Sequence, residues 1–183
     1  GPLVVSDLQT DNPFQDHFLE AGRQVGYPIS PDFNGAEQEG VGLYQVTQEN
    51  GERWSSYRGY VKPHLETRSN LQVETGAQTQ RILFEGKRAV GVEYRQGGHL
   101  QTVMARKEVI LSAGAFQSPQ LLMLSGIGPA AHLQQKGIAV VHDLPGVGRN
   151  LQDHIDYVMT YRIPSDTESF GLSLRGAVAV TKG

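Results

Sequence analysis

The chain has 183 residues, with 16 Lys and Arg against 19 Asp and Glu for a formal net charge of −3, 38% hydrophobic residues, 22 Gly, 9 Pro and no Cys. That length suits about one ordinary domain burying roughly two thirds of its surface, and the lack of Cys excludes disulfide scaffolds and thiolate-ligated zinc or iron–sulfur centres. The mild acidity, without a dense Lys/Arg run, argues against generic nucleic-acid or anionic-membrane binding, and no apolar run approaches the roughly 18 residues of a membrane helix.

The start, Gly1-Pro2-Leu3, carries no initiator Met and no targeting composition, and it is expected to be the cut end of a longer chain. Asn12 and Pro13 are a cap and a first helical position, and Phe14, Phe18, Leu19 and Val25 follow at helical spacing as far as Gly26. Residues 27–52 form a long polar excursion rich in Pro, Gly, Asn and acid, and loops of that length are more often functional than idle. Ser55 or Ser56 begins a second short helix to about Glu66, with Pro63 straining its last turns.

From Asn70 the period changes to two. Leu71–Thr75 reads as a strand, Arg81–Tyr94 as a hairpin turning at Glu85-Gly86-Lys87, and His99–Met104 as a third antiparallel strand after Gln96-Gly97-Gly98. Val109-Ile110-Leu111, bounded by Ser112-Ala113-Gly114, suits a strand buried on both faces. Ser118-Pro119 starts an apolar helix that Gly126 stops, Pro129 starts another that Gly137 ends, and Ile138–Val141 returns as a strand. Alternation resumes at Tyr157–Tyr161 and Ala177–Val180.

Several clusters invite a chemical reading. Gly126, Gly128 and Ala131, followed by a helix, a strand and Asp143, outline a dinucleotide fingerprint, in which glycines admit a pyrophosphate and the acid holds a ribose. The helix expected before Gly126 contradicts the strand that geometry needs, so two short helices joined by a glycine turn are favoured. Asn150, Asp153, His154 and Asp156 group carboxylates around an imidazole as in an acid–base or hard-metal site. No His spacing supplies further ligands, and a local turn with a satisfied histidine is favoured. Ser112, Ser118 and Ser125 lie near glycines without forming a hydrolase elbow. Tyr27, Phe33, Tyr44, Trp54, Tyr57 and Tyr60 are compatible with a pocket lining or, more often, with ordinary packing.

The string GAFQSPQLLMLSGIG at 114–128 resembles, as a whole, the second signature of the glucose–methanol–choline (GMC) oxidoreductases, FAD-dependent alcohol oxidases and dehydrogenases. It matches at Gly114, Ala115, Ser118, Pro119, Leu121, Leu122, Ser125, Gly126, Ile127 and Gly128. DFNG at 32–35, NGERWSSYRGYVKP at 50–63, NLQVETGAQTQRILFEGKRAVGVEY at 70–94, EVILSAGA at 108–115 and PGVGRNLQDH at 145–154 resemble the family in the same order. The likeness covers nearly the whole chain and points toward choline dehydrogenases and related alcohol dehydrogenases.

The resemblance implies an α+β segment that joins part of an α/β FAD-binding domain to part of a substrate-binding domain. Residues 1–66 are then a substrate-side or lid segment, 67–155 the middle of the FAD-binding domain, and 156–183 the first substrate-domain strands. It implies FAD as cofactor of the intact enzyme and a small alcohol as substrate. The cofactor-binding residues it carries over are Thr79, which matches a strand position that holds adenine through backbone atoms, and Ala113 and Gly114, which match a turn beside the cofactor. Relatives often have Val at the position of Thr79. The family's N-terminal GxGxxG unit and late catalytic His are not found in these residues, so no catalytic residue and no metal is assigned. The chain alone is expected to be inactive and not to retain FAD, and its uncovered apolar surface implies self-association or a rearranged sheet. A hydroxynitrile-lyase-like relative and a non-catalytic interaction module are the alternative readings.

Overall fold

The computed structural model describes residues 1–9 and 12–160, which fall into two compact units divided between Thr75 and Gly76. The expected alternation at Ala177–Val180, Tyr161, and most of the span 156–183 lie outside the described residues.

In the first unit, α1 spans Phe14–Gln24. Its start is where the sequence places it: the Asn12 side chain accepts from Phe14 N at 3.0 Å. At the other end Gly26 N donates to Arg23 O and Tyr27 N to Gly22 O, so left-handed Gly26 closes the last turn in a Schellman pattern. The long excursion is tied down by two isolated bridges, Ile29 with Val41 and Ser6 with Val46. A hairpin not anticipated from composition follows: β1 (Gln48–Glu49) and β2 (Glu52–Arg53) pair across Asn50-Gly51, both with positive φ as a type I′ turn demands. The helix expected before Glu66 is present but irregular. Tyr57–Val61 is a single wide π turn and Lys62–His64 a 3₁₀ turn, because Pro63 has no N–H with which to continue an α-helix. Trp54 Nε1 donates to Pro2 O at 2.8 Å, and the Arg58 guanidinium lies 5.3 Å from the Trp54 ring centroid.

The second unit is built on a three-stranded antiparallel sheet in the order β3 (Gln78–Glu85), β4 (Arg88–Gln96), β5 (His99–Met104). Both hairpins turn over the two residues their glycines predicted, with Glu85 opposite Arg88 and Gln96 opposite His99. Arg81 and Glu93 face each other across β3 and β4 and form a bidentate ion pair at 3.0 Å. α2 (Gly114–Leu124) packs on β3 and is followed by β6 (Ile127–Gly128), α3 (Ala130–Gln135) and β7 (His142–Asp143), with β6 and β7 parallel. Leu133 of α3 is completely buried and Ile82 of β3 nearly so.

Five expectations change. Leu71–Thr75 forms no strand, and the Gln72 amide instead binds the Glu74 carboxylate locally ahead of a turn at Gly76. Val109–Leu111 pairs with no strand among the described residues, and Ile110 is 78% exposed rather than buried. α2 begins at Gly114, four residues before the capping pair Ser118-Pro119. The strand expected at Ile138–Val141 pairs instead at His142–Asp143, because Gly126 O accepts from both Val141 N and His142 N and fixes the register there. Residues 157–160 likewise join no strand, and Tyr157 is 82% exposed.

Candidate functional site

Where α2 leans on β3, the two elements diverge from a fixed point. Ser125, just after α2, accepts a hydrogen bond at its Oγ from Ile82 N, 2.8 Å away. From that closed end β3 extends back to Gln78 and α2 back to Gly114. Between them lies a cavity of about 560 Å³. Its closed end is apolar, with Ile82, Val92, Leu121 and Leu124, and the unpaired segment Val109–Leu111 supplies one side. The open end is polar and small: Gln78 and Thr79 from β3, Ser112 and Ala113 from the turn, and Gln117 and Gln120 from α2. An apolar slot with a few polar groups at its mouth is the usual form of a small-molecule site.

The structure therefore brings Thr79 and Ala113, far apart in sequence, onto one cavity. Gly114, the next residue in the chain, is not among the residues that line it; its φ is +85°, and no heavy atom comes within 4 Å of the position a Cβ would take. The turn is held by Ser118, whose Oγ accepts from Ala113 N at 3.1 Å. Ser118 thus reaches back to fix the entry of a helix already begun, a role its Ser-Pro context does not disclose. Gln117 and Gln120 were not singled out from sequence. Their spacing of three on a helix is the signal that places them on a common face.

The rival fingerprint has the topology of a small β-α-β unit, since β6, α3 and β7 run in that order with parallel strands. Its glycines, however, are filled by the protein itself. A Cβ on Gly126 would lie 2.5 Å from Ala139 O, and one on Gly128 would lie 2.8 Å from Met123 Cγ. Asp143, the candidate ribose acid, accepts instead from Ala130 N at 2.9 Å and caps α3. At both glycines a pyrophosphate would have to displace packing that is already in place.

A second cavity, of about 690 Å³, lies between α2 and the turn carrying Arg149 and Asn150, with Phe116, Met123 and Leu151 among its walls. Of the polar cluster nearby, Asn150 lines this cavity while Asp153, His154 and Asp156 do not, and Asp153 merely accepts from His154 N at 2.8 Å. Among the described residues no group of three acids or histidines is placed to hold a metal ion. No helix there is long and apolar enough to cross a membrane. Among the described residues the aromatic side chains of the first unit line neither cavity: Phe33 and Tyr44 pair with ring centroids 4.9 Å apart, while Tyr27, Tyr57 and Tyr60 are about half exposed.

The arrangement has close counterparts. A family model described as GMC oxidoreductase matches residues 1–156. "Alcohol dehydrogenase [acceptor]" from Pseudomonas putida is 48% identical over 185 aligned positions, which cover 98% of this chain and 33% of that protein. The mitochondrial choline dehydrogenase of Homo sapiens is 53% identical over 156 positions, covering 85% of this chain and 26% of that one. Among solved structures, an FAD-dependent oxidoreductase from Chaetomium thermophilum superposes with a TM-score of 0.76 at 34% identity, over 84% of this chain and 27% of its own. The chain spans a quarter to a third of the length of these relatives. By sequence along most of its length and by its α+β architecture, it belongs to the GMC oxidoreductase family, whose members depend on FAD.

Proposed function

We propose that the chain is part of an FAD-dependent enzyme that oxidises a primary alcohol, choline or one like it, to the aldehyde by hydride transfer to flavin. Its own share in that reaction is to hold the adenosine end of the cofactor in the cavity between β3 and α2. The observation that carries this reading is the meeting of Thr79 and Ala113 on one cavity, with Gly114, open to close approach, next to Ala113 in the chain.

The residues present fit that group. Adenine is flat and largely apolar on its faces, and Val109, Leu111 and Leu121 offer matching walls. Its edge and the ribose are polar, and the cavity mouth is where the polar side chains and small residues gather. A Cβ at Gly114 would occupy space that is now open, so glycine there leaves room for close approach. Bound FAD supplies the hydride acceptor. The residues of this chain bind and orient it, and none is assigned as the base that takes the alcohol proton.

In this reading residues 1–66 belong to the substrate side, 67–155 to the FAD-binding domain and 156–183 to substrate-domain strands. The chain by itself does not turn over alcohol or retain FAD through purification. Ile110 and Phe116, each at least three-quarters exposed, are the surface through which it self-associates.

The test is anaerobic mixing of choline or a simple primary alcohol with a whole enzyme containing this segment. Bleaching of its flavin absorbance on mixing supports the reading. A flavin that stays oxidised with every primary alcohol, while the protein is folded and loaded, contradicts it.

A further inference from the structure

We propose that the outer edge of β5 pairs antiparallel with the same edge of a second copy of the chain, about a two-fold axis at Thr102, joining the two sheets into one. This edge is independent of the cavity between β3 and α2 and distinct from the exposed Ile110 and Phe116.

The two edges of the sheet differ. β3 is interrupted by register shifts between Thr79 and Arg81 and between Leu83 and Phe84, and its Ile82 N–H is taken up by Ser125. β5 runs in unbroken register along β4 from His99 to Met104, and among the described residues no strand pairs with its other side. Every residue of β5 is exposed. The strand carries none of the devices that blunt an edge, having no bulge, no Pro and no charged side chain.

Register decides which groups face outward. Gln96 and His99 close a two-residue turn, and Ala105 N donates to Val90 O, so His99, Gln101, Val103 and Ala105 are the residues bonded to β4. Leu100, Thr102 and Met104 therefore turn their N–H and C=O groups to the open side. An axis at Thr102 sets Thr102 opposite its own copy and each Leu100 opposite Met104 of the second copy, so every outward N–H and C=O finds its counterpart. An axis at Gln101 or Val103 leaves one outward residue of each copy without a counterpart in the strand.

The side chains suit the same axis. Val103 lies opposite Val92, which lines the cavity, so Leu100, Thr102 and Met104 share the face turned away from it. Leu100 is 54% and Met104 60% exposed, and the pairing lays one against the other. A charged strand would meet its own charge across a two-fold axis, whereas β5 meets none. A strand of six residues a side falls well short of the roughly 20–30 of a stable interface, so the dissociation constant is about 0.1–1 mM.

The experiment is residue-resolved amide exchange by NMR on the 183-residue chain at about 0.05 mM and about 1 mM. Protection of Leu100, Thr102 and Met104 should rise about two- to threefold with concentration, while Gln101, Val103 and Ala105, already bonded to β4, stay unchanged. Thr102→Lys, which sets two ammonium groups on the axis, should abolish the rise, and Thr102→Val should keep it. Thr102→Pro removes only an outward N–H and should abolish the rise at Leu100 and Met104. Ile110→Ser should leave it intact. Protection independent of concentration, or a rise that survives Thr102→Lys or vanishes in Ile110→Ser, overturns the pairing without touching the cavity reading. A rise at Leu100 and Thr102 but not at Met104 overturns the axis at Thr102.

Discussion

Ser125 and Ile82 are joined by a hydrogen bond that sets the geometry of the site: Ser125 Oγ accepts from Ile82 N at 2.8 Å and donates to Leu121 O at 2.6 Å. Both residues are buried. One hydroxyl thereby satisfies an edge-strand N–H and a carbonyl in the last turn of a helix, and locks β3 to α2 at the closed end of the cavity. Ser125→Ala should strand the Ile82 N–H away from water at a cost of about 1–3 kcal/mol. Urea unfolding of the two proteins measures this, and an unchanged midpoint would mean that the lock carries no weight.

Gly114 and Gly126 both have positive φ, yet their substitution should have opposite consequences. At Gly126 a Cβ would collide with the backbone oxygen of Ala139, so Gly126→Ala should lose more than about 2 kcal/mol and leave untouched the binding of ADP, a soluble stand-in for the adenosine end of FAD. At Gly114 the space is open, so the alanine costs only the backbone penalty of about 1–2 kcal/mol while its methyl group takes up open space next to Ala113. Thermal melts paired with ADP titration separate the two. A Gly114→Ala protein that binds ADP as the wild type does would show that close approach there is unnecessary.

At Thr79 the proposed contact is through the backbone. Thr79→Val should therefore change ADP affinity by no more than about twofold, a few tenths of a kcal/mol. A much larger loss, read by the same titration, would assign the contact to the hydroxyl.

Asp143 is committed to α3. Asp143→Ala should weaken the cap on Ala130 N by about 1 kcal/mol and speed amide exchange in the first turn of α3, without altering ADP binding. If ADP binding were lost instead, the rival glycine turn would be the nucleotide site.

On α1, the Arg23 guanidinium hydrogen-bonds Glu20 at 2.8 Å and, with a further bond from Gln24, holds its carboxyl below the ordinary range. A depressed carboxylate stabilises the folded state above its unfolded value, about 4.3, and that contribution is lost as pH falls through the lower folded value. NMR titration should place the Glu20 midpoint below that of a free glutamate, and Arg23→Ala should raise it. Both side chains are exposed, so global stability should hardly respond.

How much of this was legible beforehand depends on range. Much local chemistry was plain: Asn12 before Phe14, glycines at both turns of the three-stranded sheet, and Gly26, Gly126 and Gly137 after their helices act within a few residues, although the equally local Asn50-Gly51 turn was missed and Ser118-Pro119 misplaced the start of α2. The signature at 114–128 disclosed the family and, through it, Thr79, Ala113 and Gly114. Long-range partners were not readable. Val109–Leu111 looks like a buried strand, but a strand is defined by its neighbours, and none pairs with it among the described residues. The register of β7 follows from Gly126 O, and the tie of Ser125 to Ile82 spans distant sequence. Gln117 and Gln120 escaped notice because an exposed glutamine on a helix carries no signal until the opposing wall is known.

The most direct measurement is an amide chemical-shift map of the chain titrated with ADP. The adenosine-site account predicts that the shifts concentrate at Thr79, Ala113, Gly114 and the first turn of α2. Shifts centred instead on Gly126–Ala131 and Asp143, or no shifts at millimolar ADP, would contradict it.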